Sequence, residues 1–378
     1  MRRTSGKIFL SAMAKVKVFA TEKVLTKVKV LGVLGVFMVV MTGCGNPISI
    51  GSEDAKGLDD TKKIGVQIND NVNGMFITMT DEKNPVLLFI SGGPGVPEVW
   101  LNEAYADVYP NKIAEYFTVC YWDYYGEGLS YDSDIDPDEI TIERLAYDAH
   151  AVAEYLKKEF KKEKIYLMAH SSGTNLGLYL AQTNAEDFYC YFGMGQDVVG
   201  KDSARRYEEG YYFMKEIFEQ SGNTKALRKM NKLVKISDDG EFSVKKPSTI
   251  GNDWEKILLM AGCGTTKEMR SDVKDIFFKQ MSCKCYTVKE KINYWRGKAL
   301  LGKTPYRDYS VDPDIPALIP VYFLSGYYDY TTPITLSKEL YEKLEAPEKS
   351  FYTFYNSAHS PLWEENKLVI EAMLEHVK

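Results

Sequence analysis

The chain has 378 residues, 45% hydrophobic and 26% charged, which is enough to bury a large core in one domain carrying an inserted subdomain. A formal charge of −6, with no long basic stretch beyond the N-terminal region, argues against nucleic acid as a partner. The 27 Tyr and 17 Phe suit either a hydrophobic binding cleft or a Tyr-rich surface. In chain order, residues 1–29 carry eight Lys and Arg against the single acid Glu22, followed by an uncharged run from Val30 to Met41 and then Thr42-Gly43-Cys44. A basic region, a short apolar stretch and small residues form the layout of an export signal, and the run is too short for an ordinary membrane span. Met41-Thr-Gly-Cys44 is similar to a bacterial lipoprotein box, in which the cysteine becomes the lipidated first residue. An uncleaved anchor and plain secretion are the other outcomes this layout allows, and an internal start at Met13 would shorten the long basic region. The expectation is therefore a signal segment over 1–44, a tether over 45–61, and a protein exported to the outer face of a bacterial membrane and held there through Cys44.

The elements that follow alternate. Two short alternating runs between Lys62 and Thr80, separated by Asn69-Asp70-Asn71, predict a hairpin. Continuous apolar runs at Val86–Ile90, Phe117–Trp122, Ile165–Ala169, Tyr189–Met194, Val321–Leu324 and Phe351–Phe354 predict strands buried on both faces. Thr141–Lys162 places Leu145, Ala149, Val152 and Leu156 at helical spacing, and Leu362–Val377 repeats the pattern. Strands alternating with helices imply an α/β fold with a mostly parallel central sheet covered on both faces. That core is expected over 62–201 and 318–378. Residues 202–317, mainly helical in pattern and without a run that reads as a core strand, are expected to form an inserted cap. Of the cysteines, Cys120 and Cys190 sit in apolar strand-like runs, while Cys263 is placed to pair with Cys283 or Cys285 if the domain is exported. Cys283-Lys284-Cys285 lacks a second pair, so no metal is expected.

The chemistry centres on Ile165 to Gly177. A buried strand runs into Ala169-His170-Ser171-Ser172-Gly173 and a helix follows, which is the setting a nucleophile elbow requires. The serine must project from a tight turn, so the residues two before and two after it must be small. Ala169 stands at the first of these positions and fits if its φ is negative. The following helix directs its N-terminus at the site and favours developing negative charge. Ser91-Gly92-Gly93-Pro94-Gly95, after the first parallel strand, lets backbone N–H groups approach a ligand. An acyl-transfer enzyme needs two such donors for the oxyanion, and the amides of Ser172 and of Gly93 or Gly92 are the candidates.

Only four histidines exist. His150 lies inside a predicted helix, His376 ends another, and His170 adjoins the serine and reads as a packing residue. His359 follows the last strand and precedes a helix, where a loop histidine can reach Ser171 as general base. The orienting acid is expected on Asp329, just after Val321–Leu324, in the order Ser, Asp, His. Asp197, just beyond Tyr189–Met194, is the competing carboxylate.

Taken together, Gly92-Gly93-Pro94-Gly95, Trp122-Asp123-Tyr124-Tyr125-Gly126-Glu127-Gly128-Leu129-Ser130, the serine elbow and the Asp329 and His359 loops resemble the prolyl aminopeptidase (proline iminopeptidase) branch of the α/β-hydrolase superfamily, in the same order over roughly 62–378. The chain departs from that pattern at Ser91 (usually His), at Tyr125 (usually Arg) and at Ala169 (commonly Gly). The resemblance implies a serine hydrolase; such peptidases keep acidic residues in the cap for a substrate's free amine, for which Glu208 and Glu209 are candidates, a solvated face of a charge-rich helix being the other reading. The expected function is hydrolysis of an ester or amide bond in a small molecule or short peptide, through an acyl-enzyme on Ser171 and without a cofactor. An aminopeptidase competes with a carboxylesterase or lipase-like enzyme, and a non-catalytic binding protein on the same fold is the rival from another class.

Overall fold

The computed structural model describes residues 48–106, 112–198, 204–247 and 249–378. The expected export signal and Cys44 lie outside the described residues. The described residues begin with three antiparallel strands, β1 (Ile48–Asp54), β2 (Thr61–Ile68) and β3 (Asn71–Thr78). The hairpin expected between 62 and 80 is β2–β3. Ile48–Asp54, read from sequence as part of a tether, instead adds an edge strand to it. Residues 49–54 are exposed, and backbone pairing with β2 rather than apolar burial holds the strand in place.

Six parallel strands complete the sheet. They are β4 (Val86–Ile90), β5 (Thr118–Asp123), β6 (Ile165–His170), β7 (Phe188–Met194) and, after the helical insertion, β10 (Val321–Gly326) and β11 (Lys349–Phe354). The spatial order is β1-β2-β3-β5-β4-β6-β7-β10-β11. β4 and β6 are buried at every position, as strands covered on both faces must be. Their side chains alternate between two layers. Leu88, Ile90, Leu167 and Ala169 belong to one apolar cluster, and Leu87, Phe89, Tyr166 and Met168 to the other.

Helices cover both layers. α1 (Trp100–Ala104) follows β4. α2 (Ile142–Glu159) starts where the Thr141 hydroxyl accepts from the Arg144 amide at 3.2 Å, and it buries Leu145, Ala149, Val152 and Leu156 as its spacing predicts. α3 (Gly173–Thr183) leaves the end of β6. The insertion holds α4 (Ala204–Gln220), α5 (Thr224–Asn231), a small hairpin of β8 (Val234–Ile236) and β9 (Phe242–Val244), α6 (Ile250–Ala261), a π-helical turn (Asp272–Phe277), α7 (Phe278–Ser282) and α8 (Val288–Leu301). α9 (Ile334–Lys343) and α10 (Asn366–Leu374) complete the chain.

The insertion divides by packing. Tyr207, Met214, Phe218, Met230, Trp254 and Ile257 form a cluster of their own around α4–α6. The second half joins the main layers, with Leu301 and Tyr306 in one and Met269 and Tyr286 in the other. The cysteine pairing considered from sequence does not occur. Cys120, Cys190, Cys263, Cys283 and Cys285 are all free and buried, because Cys263 sits in the α4–α6 cluster whereas Cys283 and Cys285 sit under the sheet. Leu167, wholly buried at the centre of β6, gives a direct check on this core. Leu167→Ala is expected to lower stability by about 3 kcal/mol, read as a shifted denaturant midpoint with unchanged slope.

Candidate active site

β6 ends at His170, and the next residue, Ser171, has φ +54, a left-handed conformation that side chains other than glycine seldom adopt. Ala169 stays on the negative-φ side, as a strand residue. The turn is tight because its neighbours are small. A Cβ on Gly173 would run into the carbonyl oxygen of Ser91, and one on Gly92 would come within 2.6 Å of the Ser171 Cβ. The Ser171 amide donates to the Met194 carbonyl at 3.0 Å, which ties the turn to the end of β7. Ser172 stands at the start of α3, and its carbonyl accepts from the Tyr306 hydroxyl at 3.0 Å.

The other expected residues come to the same place. Asp329 lies on the loop after β10 and His359 on the loop after β11, both buried. His359 Nδ1 is 2.9 Å from Asp329 Oδ2. Asp329 also accepts from the amides of Thr331 and Thr332 at 3.0 and 2.9 Å and from the Thr332 hydroxyl at 2.8 Å. A carboxylate so positioned keeps the proton on Nδ1 and leaves Nε2 as the basic nitrogen. Nε2 is buried and makes no hydrogen bond within the described residues. Gly195 joins the two halves of the site. It follows Met194, which receives the Ser171 amide, and a Cβ on it would come within 2.9 Å of the His359 ring and 3.3 Å of Asp329.

The alternatives weighed from sequence are placed elsewhere. Asp197 pairs with Arg206. His150 bonds Asp187 at 2.6 Å, and His376 stacks on Tyr322 with ring centres 3.6 Å apart. The Gly92 amide donates to Glu98 Oε2 at 3.4 Å, and Gly93 beside it stands at φ +117. Glu209 is engaged by Arg205 at 3.2 Å and by the Thr335 hydroxyl, so Glu208 is the member of that pair with the fewer ties.

Three groups around the site were not read from sequence. His170, expected to be a packing residue, is buried but bonded at both ring nitrogens. Nδ1 meets Glu98 Oε1 at 2.6 Å, and Nε2 meets the His359 carbonyl at 2.8 Å. A carbonyl only accepts, so Nε2 must carry a hydrogen. Burial opposes charge on this ring, but the Glu98 carboxylate and the His359 carbonyl outweigh it and raise its pKa. Glu364 accepts from the amides of Ala358 at 2.9 Å and Lys267 at 2.6 Å, and burial pushes its pKa up to about 7. Glu365 accepts from the Asn356 amide at 2.8 Å and the Ser357 hydroxyl at 2.7 Å. The His359 loop is thus held from both sides. The Glu98–His170 and Lys267–Glu364 contacts span 72 and 97 positions, and a Glu-Glu pair ahead of a helix carries no pattern to mark it.

The Trp122–Ser130 segment is structural. Asp123 accepts from the Tyr286 hydroxyl and the Leu129 amide, and the Ser130 hydroxyl accepts from the Gly74 amide at 2.8 Å. Tyr125 lies under the Arg144 guanidinium, 4.1 Å from ring centre to Cζ.

Residues 85–366 match the family described as the alpha/beta hydrolase fold. A probable aminopeptidase of Bacillus subtilis, YbaC, is 30% identical over 309 residues, covering 80% of this chain and 92% of that protein. Among solved structures, the proline iminopeptidase of Mycobacterium smegmatis is similar at 16% identity and a TM-score of 0.55, with 83% of this chain and 98% of that one covered. A variant epoxide hydrolase of Vigna radiata is similar at 16% identity and a TM-score of 0.50, with 84% and 99% covered. At that identity the two structures speak for the fold alone.

The buried Glu98–His170 pair makes a pH-dependent prediction. With its pKa raised in the fold, His170 contributes stability fully below its ordinary value of about 6.5, and the contribution fades as pH rises through the higher folded value. Glu98→Gln removes the partner and is expected to cost about 3 kcal/mol below pH 6.5. The difference from the parent should narrow in alkaline buffer, as read by denaturant melts across pH.

Proposed function

The chain belongs to the α/β-hydrolase family, and we propose that within it the protein is a serine hydrolase working through an acyl-enzyme on Ser171. The observation that carries this reading is the His359–Asp329 contact of 2.9 Å, beside a serine held at φ +54 on the same strand ends. In the proposed cycle, Ser171 Oγ attacks the acyl carbon of the substrate while its proton passes to His359 Nε2. Asp329 stabilises the imidazolium that forms. The oxyanion of the tetrahedral intermediate is received by the backbone amides of Ser172 and Gly93, at the N-terminal end of α3. His359 then gives its proton to the departing amine or alcohol, and a water activated by the same nitrogen releases the acyl group.

For the bond, we propose the amide of an N-terminal residue in a short peptide. The support is the 30% identity with a probable aminopeptidase, which extends over nearly the whole of that protein. Such a substrate presents a free ammonium, and Glu208 on α4 is the candidate to meet it. We further propose that Cys44 is lipidated and holds the enzyme on the outer face of the membrane, on the strength of the basic region, the apolar run and Met41-Thr-Gly-Cys44.

An aminoacyl-arylamide assayed beside a short acyl ester tests the substrate. The arylamide is expected to be cleaved preferentially, and Ser171→Ala to lower turnover by a factor of 10³ or more, on the order of what loss of a nucleophile costs. Preference for the ester would move the enzyme to the esterases. A Ser171→Ala variant as active as the parent would remove the nucleophile assignment.

A further inference from the structure

Fifteen large hydrophobic side chains are exposed among the described residues, and six of them fall between positions 273 and 292. Isolated apolar residues on a surface are ordinary; a contiguous group is not. Val273, Phe277, Phe278 and Met281 lie on the π-helical turn and α7, and Val288 and Ile292 on the start of α8. Phe277 lies 5.5 Å from the Phe278 ring and 5.4 Å from that of Trp295. Val288 and Ile292 stand one turn apart on α8, on one face of the helix. Lys291, between them and α7, donates to the Met281 carbonyl at 2.9 Å. Phe278 is 59% exposed and Val288 76%.

The same stretch is basic. Residues 271–299 hold seven Lys and Arg against three acids, in a chain of net charge −6. One of the acids, Glu290, is already neutralised by Lys63 at 3.0 Å. Exposed Phe, Val and Ile set among lysines are what the interface of an anionic bilayer accepts, the apolar groups entering the headgroup boundary and the lysines meeting phosphates.

Chain connectivity says which surface this is. Lys63 also binds Glu53 of β1 at 2.6 Å, so the start of α8 lies beside the first strand. A groove lined by Ile50, Ser52, Lys63, Val72 and Glu290 runs between them, and Ile50 is itself exposed. Cys44 precedes Ile48 by four residues, about 14 Å of fully extended chain. A lipid on Cys44 therefore keeps β1, and the face next to it, close to the bilayer.

We propose that the face formed by the π-helical turn, α7 and the start of α8 is a membrane-contact surface for anionic phospholipid, which seats the enzyme on the bilayer that anchors it. The inference rests on the anchoring reading above. The test uses the full chain reconstituted in vesicles of phosphatidylcholine and phosphatidylglycerol (mixed roughly 7:3) that contain a photoactivatable phospholipid, with cross-linked peptides mapped by mass spectrometry. Lipid cross-links are expected within 271–299 as well as in the N-terminal segment. Phe278→Glu combined with Ile292→Glu should lower the 271–299 signal at least fivefold and leave the N-terminal signal and the thermal melt unchanged. Cross-links confined to the N-terminal segment of the parent would uphold the anchor and overturn the contact surface. Their absence everywhere would overturn both. Cross-links joining 273–292 of two protein copies in place of lipid would make the face a protein interface and overturn the proposal.

Discussion

A side chain held at positive φ raises the free energy of the folded chain, and such a residue persists only where its surroundings leave it no alternative. Ser171 is in that position. β6 delivers it from the middle of a sheet in which the strands on both sides are already paired, so the backbone cannot slide. α3 begins two residues later and must turn back at once over the same sheet. Gly92 and Gly173 admit the turn because neither has a Cβ to obstruct it, and the Met194 carbonyl takes the serine amide. The serine is thereby placed at the strand ends, where α3 begins.

The groups around the serine depend on that turn. Strands β4, β7, β10 and β11 end at the same edge, and each contributes one loop: the glycine segment, Gly195, Asp329 and His359. Loops alone would be mobile. Here they are fixed by buried charge and hydrogen bonding, with Glu98 and His170 on one side of the His359 loop and Glu364 and Glu365 on the other. Desolvation is the cost at Glu364, whose pKa burial pushes up. What the chain gains is a histidine whose Nδ1 is committed and whose Nε2 is directed elsewhere.

Much of this was legible in the sequence because the relevant signals are local. Five-residue apolar runs such as Val86–Ile90 mark strands buried on both faces, and the loop positions of Ser171, Asp329 and His359 follow from which strand each comes after. β11 begins at Lys349, two residues before its apolar run, because parallel pairing with Val321 and Tyr322 extends the strand into polar residues. β1 escaped notice for the same reason: it is defined by its partner and not by its own composition. The Glu98–His170 contact spans 72 positions, and nothing at either residue announces the other. The insertion read as one cap, whereas its second half contributes Leu301, Tyr306 and Tyr286 to the main core, a division that depends on the path of the chain rather than on residue type.

The central claim is an activated serine, and fluorophosphonate labelling tests it most directly. The reagent reacts with a hydroxyl only when a base and an oxyanion site are in place around it, so it needs no knowledge of the substrate. Labelling mapped to Ser171 and abolished in His359→Ala is the result the account predicts. A well-folded protein that takes up no label, or takes it up equally in the His359→Ala variant, would contradict it.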